Sequence, residues 1–167
     1  MELEKVRAIA EELKSLLAPW CHRIEIVGDI RGQKPAVTGI ELLYIPKYFG
    51  IANENDSLDQ CVVDLMMAGV MNVRRAYGPK IKLMMHIPSG IAVDIFTTDA
   101  QCWAVALAVK TGGAKTKKRI AAARRKGWRF RVNGDGFDTP DGHITCSTER
   151  EVFETVGLPY LPPEQRE

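Results

Sequence analysis

The sequence predicts an α+β fold, a mixed β-sheet with helices followed by a small lobe of helices and a hairpin. Three observations carry that expectation. Apolar residues recur at helical spacing near the N-terminus. Short strand-like runs then alternate with glycine turns as far as Thr97. Beyond residue 98 the chain turns strongly basic, breaks at Gly112-Gly113 and ends in a turn-rich hairpin and a last helix. A length of 167 residues suits one domain or two small lobes, with the boundary expected near residues 98–112.

Residues 3–17 form the first expected helix, with Leu3, Val6, Ile9, Ala10, Leu13, Leu16 and Leu17 on one stripe. Pro19 stops it. Strands are expected over about 23–27 and 40–45, and a loop from Pro46 to Asp56. Ser57 reads as the N-cap of a second helix running to about Met71. Tyr77-Gly78-Pro79 is a turn, and Lys82–Ile87 with Ile91–Thr97 form a hairpin joined at Pro88-Ser89-Gly90. Thr98 or Asp99 caps a helix over about 100–110, and a basic helix follows from Ala114 to about Lys126. Trp128–Val132 opens a small sheet, Asn133–His143 turns, and Ile144–Cys146 returns. Thr148 and Glu151 make a capping box for a helix that Gly157 ends.

With 46% hydrophobic and 26% charged residues, the composition is that of an ordinary soluble globular protein. The net charge of +2 hides an asymmetry. Ten basic residues fall between Lys110 and Arg131 with no acid among them. So long a run favours a polyanion partner over a merely solvated helix face. Cys21, Cys61, Cys102 and Cys146 are scattered, with no C-x-x-C pair, so zinc is not expected and reduced thiols are. The opening MELEKVRAIAEEL is charged and amphipathic, unlike a signal peptide, and no apolar run suits a bilayer. An intracellular protein, cytoplasmic or nucleoid-associated, is the expectation. His22, His86 and His143 are isolated and carry no assigned role. Acids in Asn133–Gly142 recur every third residue, which suits a hairpin turn and not a calcium loop.

The chemistry concentrates in Arg23–Pro46, RIEIVGDIRGQKPAVTGIELLYIP. A strand, a tight turn at Gly28 and a returning strand with one inward acid, Glu41, is an arrangement suited to phosphoryl transfer. Glycine lets backbone N–H groups approach a phosphate. A carboxylate can hold a divalent metal that neutralises transferring oxygens. Asp94 sits mid-strand between Val93 and Ile95 and needs a partner, a metal or a wet cleft; the plain alternative is the polar face of an edge strand.

This stretch resembles the palm motif of family X DNA polymerases, the polymerase beta group, and the likeness extends along the chain. The ending, TEREVFETVGLPYLPPEQRE, is similar to the family's last helix and tail. The resemblance implies a nucleotidyltransferase palm over residues 1–98 and a thumb-like nucleotide- and DNA-binding lobe over 99–167. It implies Mg2+ or Mn2+ at Glu41 and Asp94, with Asp29 a replacement ligand. It places Gly28, Arg31, Lys34, Thr111, Gly112, Gly113 and Lys117 toward nucleotide. Lys115, Lys118, Arg119, Arg124, Arg125, Arg129 and Arg131 would face DNA. Glu164 and Arg166 would lock the tail onto the lobe. The implied partners are gapped or primer-template DNA and a nucleoside triphosphate, with the protein a monomer and no membrane involved. Short stand-alone versions occur in viruses and phages, so such an origin is open.

The pattern departs from the family at two places. Gly39 stands where the family has its first catalytic aspartate, and Asp29 where it has a serine. An acid at the phosphate turn repels a triphosphate, so weak or absent transfer is expected unless the metal site has been rebuilt. Three readings stay open: a gap-filling or template-dependent DNA nucleotidyltransferase, a non-catalytic descendant that binds DNA or nucleotide, and a transferase acting on RNA or a small molecule.

Overall fold

The computed structural model describes residues 2–123, 127–131 and 136–167. Helix α1 (Leu3–Leu17) forms on the expected stripe and buries Val6, Ala10, Leu13 and Leu17. Its partner is a five-stranded sheet in the order β1-β2-β7-β6-β5. The strands are β1 (Cys21–Val27), β2 (Ile40–Pro46), β5 (Met71–Tyr77), β6 (Ile81–His86) and β7 (Ile91–Thr97). Between β2 and β5 lie a two-residue pair, β3 (Tyr48–Phe49) and β4 (Asn55–Asp56), and helix α3 (Ser57–Met67). A single turn of helix, α2 (Gly28–Arg31), links β1 toward β2. Strands β2 and β7 pair in parallel while the other neighbours run antiparallel, so the sheet is mixed.

Strand alternation divides the sheet into two faces. Ile40, Leu42 and Tyr44 of β2 join Val93 and Ile95 of β7 in the core under α1 and α3. Lys82 of β6 is also on this side and is fully buried. Its Nζ donates to the Tyr44 hydroxyl at 2.9 Å and lies 3.1 Å from Asp59. A buried ammonium is tolerated because it has such partners. Glu41, Leu43, Asp94 and Phe96 occupy the opposite face as register partners.

Helix α4 (Trp103–Thr111) covers part of that second face. It is buried almost all round, as an apolar helix between two layers must be. Trp103, Ala106 and Leu107 pack on Val27 and Leu43 of the sheet. Ala104, Val105, Ala108 and Val109 enter a second core with Ile120, Phe130, Phe137, Val152 and Phe153. Those residues come from α5 (Ala114–Ala123), α6 (Glu149–Thr155) and a three-stranded sheet of β8 (Arg129–Arg131), β9 (Gly136–Thr139) and β10 (Gly142–Ile144).

Several boundaries differ from the sequence expectation. Asp56, not Ser57, caps α3, accepting the Leu58 N–H at 3.0 Å. The helix ends at Met67 because Gly69 enters the left-handed region at φ 72°. Strand β5 was not anticipated: it is an exposed edge whose pairing slips between Val73 and Ala76, so no alternation marks it. Helix α4 begins at Trp103, after Asp99 has accepted the Cys102 N–H. Strand β10 returns at Gly142–Ile144 rather than Ile144–Cys146. The capping box holds in modified form: Thr148 accepts from the Glu151 N–H, and Glu151 reaches back to Ser147. The expected helix end at 124–126 and the turn at 132–135 lie outside the described residues.

Candidate active site

Glu41 and Asp94 lie side by side. They are direct register partners on the parallel strands β2 and β7, so both carboxylates leave the same face. Gly28 closes the site from the β1 side. Its φ is 65°, and a Cβ there would stand 1.7 Å from Glu41 Oε2. Glycine is therefore needed twice, for the left-handed turn and for the room that Glu41 occupies.

Burial raises the Glu41 pKa above the usual carboxylate range, and the charges of Asp29 and Asp94 raise it further. Lys117 and Lys110 pull it back. These five charged groups thus share one region: three acids and two lysines. Lys110 is itself pushed down, first by burial and then by Lys117, while Glu41 and Asp94 oppose that shift. Its Nζ lies 3.6 Å above the Phe96 ring, a close cation–π contact.

Two of the acids have other attachments. Asp94 Oδ1 accepts from Arg74 of β5 at 2.9 Å. Asp29 Oδ2 accepts from the Thr38 hydroxyl at 3.1 Å and its N–H at 3.3 Å, which pins the loop before β2. Among the described residues, no group of three or more acidic, histidine or cysteine side chains is arranged to hold a metal. The pair Glu41 and Asp94 suits one hydrated Mg2+ or Mn2+, an ion that keeps several waters and needs only one or two carboxylates. It does not suit a bridged pair of metals. Gly39 cannot supply the missing acid, and a Cβ on it would lie 3.0 Å from the Ala92 carbonyl oxygen.

The basic residues divide into two sets. Arg31 does not point free into the site: it donates to both oxygens of Glu149 at 2.9 and 2.6 Å and to the Thr111 hydroxyl at 2.7 Å. Glu149 also accepts from the fully buried Arg166 at 2.5 Å. Lys34 donates to the Arg166 carbonyl at 2.5 Å. These contacts tie the α2 turn to α4, α6 and the tail. Burial would raise the Glu149 pKa, but hydrogen bonds from Arg31 and Arg166 outweigh it and hold it below the usual range. Arg166 locks the tail by also donating to the Leu161 carbonyl.

The glycine turn is occupied by the end of the chain. A Cβ on Gly113 would stand 2.5 Å from Glu167 C, and one on Gly112 would stand 2.8 Å from Thr116 Cγ2. The Glu167 carbonyl accepts the Thr116 N–H, and its carboxylate pairs with Lys115. Lys118 and Arg119 are exposed on α5. On β8, Arg129 and Arg131 are exposed about the buried Phe130, and Arg131 donates to Asp138 at 2.9 Å. Trp128 and Phe130 pack toward Phe137, with ring centroids 6.0 and 5.1 Å away. Arg124 and Arg125 lie outside the described residues.

Sequence reasoning missed Glu149 as the hub between two arginines, Arg74 as the partner of Asp94, and Lys110 beside the acids. Glu149 had a visible signal, since it stands in the Thr148-Glu149 opening of the last helix. Nothing local marks Arg74.

Residues 106–167 match the family model described as DNA polymerase beta thumb. The whole chain superposes on polymerase beta of Leishmania infantum in a ternary P/T complex, with a TM-score of 0.83, 19% identity and 76% of that chain covered. A ternary gap complex of the same polymerase gives 0.82, 18% identity and 70% coverage, again over 100% of this chain. No curated protein matches in sequence. Among the described residues no helix is long and apolar enough to cross a membrane.

Proposed function

From a chain with a family X polymerase-like fold, we propose a DNA-directed nucleotidyltransferase that adds nucleotides to a 3′ end, with gap filling its suited task. Residues 1–98 would act as the palm and 99–167 as the thumb-like lobe. The observation that carries the reading is the placement of Glu41 and Asp94 as register partners beside the Gly28 turn. Two carboxylates there would hold one Mg2+ or Mn2+, whose charge offsets that of phosphate oxygens. Lys110 and Lys117 supply further positive charge at the same place. The exposed Lys118, Arg119 and Arg129 would follow a phosphate backbone. The ternary complexes of the L. infantum polymerase, P/T and gap, support DNA as the partner.

A second reading has its own observations. Gly39 removes one acid, and Arg74 already neutralises Asp94. A non-catalytic protein that binds DNA or nucleotide would need no more than the basic surface.

The deciding experiment is primer extension on a one-nucleotide gapped duplex with Mg2+ or Mn2+. Extension abolished by Asp94→Ala establishes the enzyme. No extension by the unaltered chain, with rescue by Gly39→Asp, identifies a fold disabled at one carboxylate. That substitution requires β2 or β7 to yield by a few tenths of an ångström at Ala92. Failure of both with salt-sensitive DNA binding intact supports the binding-only reading.

A further inference from the structure

A cleft of about 600 Å³ opens at the C-terminal ends of β2 and β7, away from the paired acids. Its size is that of an ordinary small-molecule pocket, roughly 300–1,000 Å³. Neither Glu41 nor Asp94 lines it. Phe96, two residues after Asp94 on the same face of β7, lines the cleft.

The lining has two chemical halves. Ile45, Ile81, Phe96 and Tyr48 present apolar and aromatic surface, and Tyr48 is 49% exposed. Lys80 and Lys110 present two ammonium groups. The acid on the lining, Asp99, already accepts the Cys102 N–H at 2.8 Å. Lys110 is held close over Phe96, half-buried and next to Lys117, so an added anion would relieve its lost hydration. Water alone does not exploit an aromatic wall beside paired cations. A ligand with both a flat ring and an anionic group does.

We propose that this cleft binds a small aromatic monophosphate, of the chemical class of a nucleoside monophosphate, with Lys80 and Lys110 on the anion and Tyr48 against the ring. The site is distinct from the one in which Glu41 and Asp94 stand, and it does not depend on the chain being a transferase. Because Lys110 borders both places, a ligand here draws an ammonium group away from the acids.

Calorimetric titration with adenosine 5′-monophosphate tests this, with adenosine and ribose 5-phosphate as the half-ligands. Lys80 and Tyr48 are exposed, so Lys80→Ala and Tyr48→Ala leave the fold intact, which thermal unfolding checks. Each is expected to weaken the monophosphate by about tenfold, the size of one charge-assisted or stacking contact. Both half-ligands are expected to bind more weakly than the whole, and Asp94→Asn is expected not to weaken it. Binding unaffected by Lys80→Ala and Tyr48→Ala, or lost with Asp94→Asn, places the ligand at the acids and overturns the proposal. So does the absence of binding at millimolar concentration. Displacement of the monophosphate by a short single-stranded oligonucleotide with the same variant dependence would assign the cleft to a strand end instead.

Discussion

Glu41 and Glu149 are the same residue type at similar, partial burial, and their surroundings push them in opposite directions. Glu41 stands among acids, and its proton is held more tightly than usual. Glu149 stands between two guanidinium groups and releases its proton more readily than usual. The difference separates cohesion from chemistry. A carboxylate satisfied on both oxygens holds elements together and has nothing left to offer a ligand. A carboxylate crowded by like charge is under tension, and a cation would relieve it. Perturbed groups of the second kind mark functional sites more often than those of the first.

Glu149→Ala is the strongest way to break the contrast. It leaves the fully buried Arg166 and the half-buried Arg31 without their carboxylate. Removing one partner of a buried ion cluster costs about 3–5 kcal/mol, read as a lowered denaturation midpoint with unchanged slope.

Gly28→Ala comes next. Leaving glycine at φ 65° costs about 1–2 kcal/mol, and the new Cβ evicts the Glu41 carboxylate. Glu41→Ala in the same chain should recover part of the loss. A double-mutant cycle measures that coupling, and simple additivity would refute the contact.

The pH dependences should diverge. Glu41, raised, contributes stability that is present below the ordinary carboxylate pKa and lost as pH rises through its own. Glu149, lowered, contributes stability that is present above the ordinary value and lost as pH falls through its own. Side-chain carboxyl NMR should place the two midpoints on opposite sides of the remaining glutamates. Glu41→Gln should remove only the loss on the alkaline side.

Arg74→Ala is the smallest change. The pair with Asp94 is about one-third exposed on each side, so stability should shift by only ~0–1 kcal/mol. Freed of its partner, Asp94 should bind Mn2+ more tightly by electron paramagnetic resonance titration. Unchanged affinity would argue against Asp94 as a ligand.

Much of this arrangement was visible in the chain itself. The stripe of α1, the apolar runs of β2 and β7 and the Thr148 cap are local patterns, and local patterns survive folding. Glu41 and Asp94 could each be placed on a strand, Asp94 at its middle, and the two strands are neighbours. Strand β5 escaped because an edge with a bulge buries little and needs no alternation. Ser57 and Asp56 are adjacent capping residues, and only geometry chooses between them. Nothing near Arg31 in sequence reveals its bond to Glu149. Long-range ion pairs leave no periodic trace, so only the fold shows that this arginine also ties elements together.

The distance along the chain between Arg31 and Glu149, 118 residues, also orders events on the ribosome. All five strands of the large sheet have emerged once Thr97 is out, so that sheet can close early. The α2 turn must then wait for the last helix before its guanidinium finds a carboxylate. Until α4 follows, Val27 and Leu43 lack its cover, and such uncovered apolar surface is what chaperones capture. The tie between the two cores is therefore made late relative to the large sheet, by one glutamate reaching back to the turn after β1.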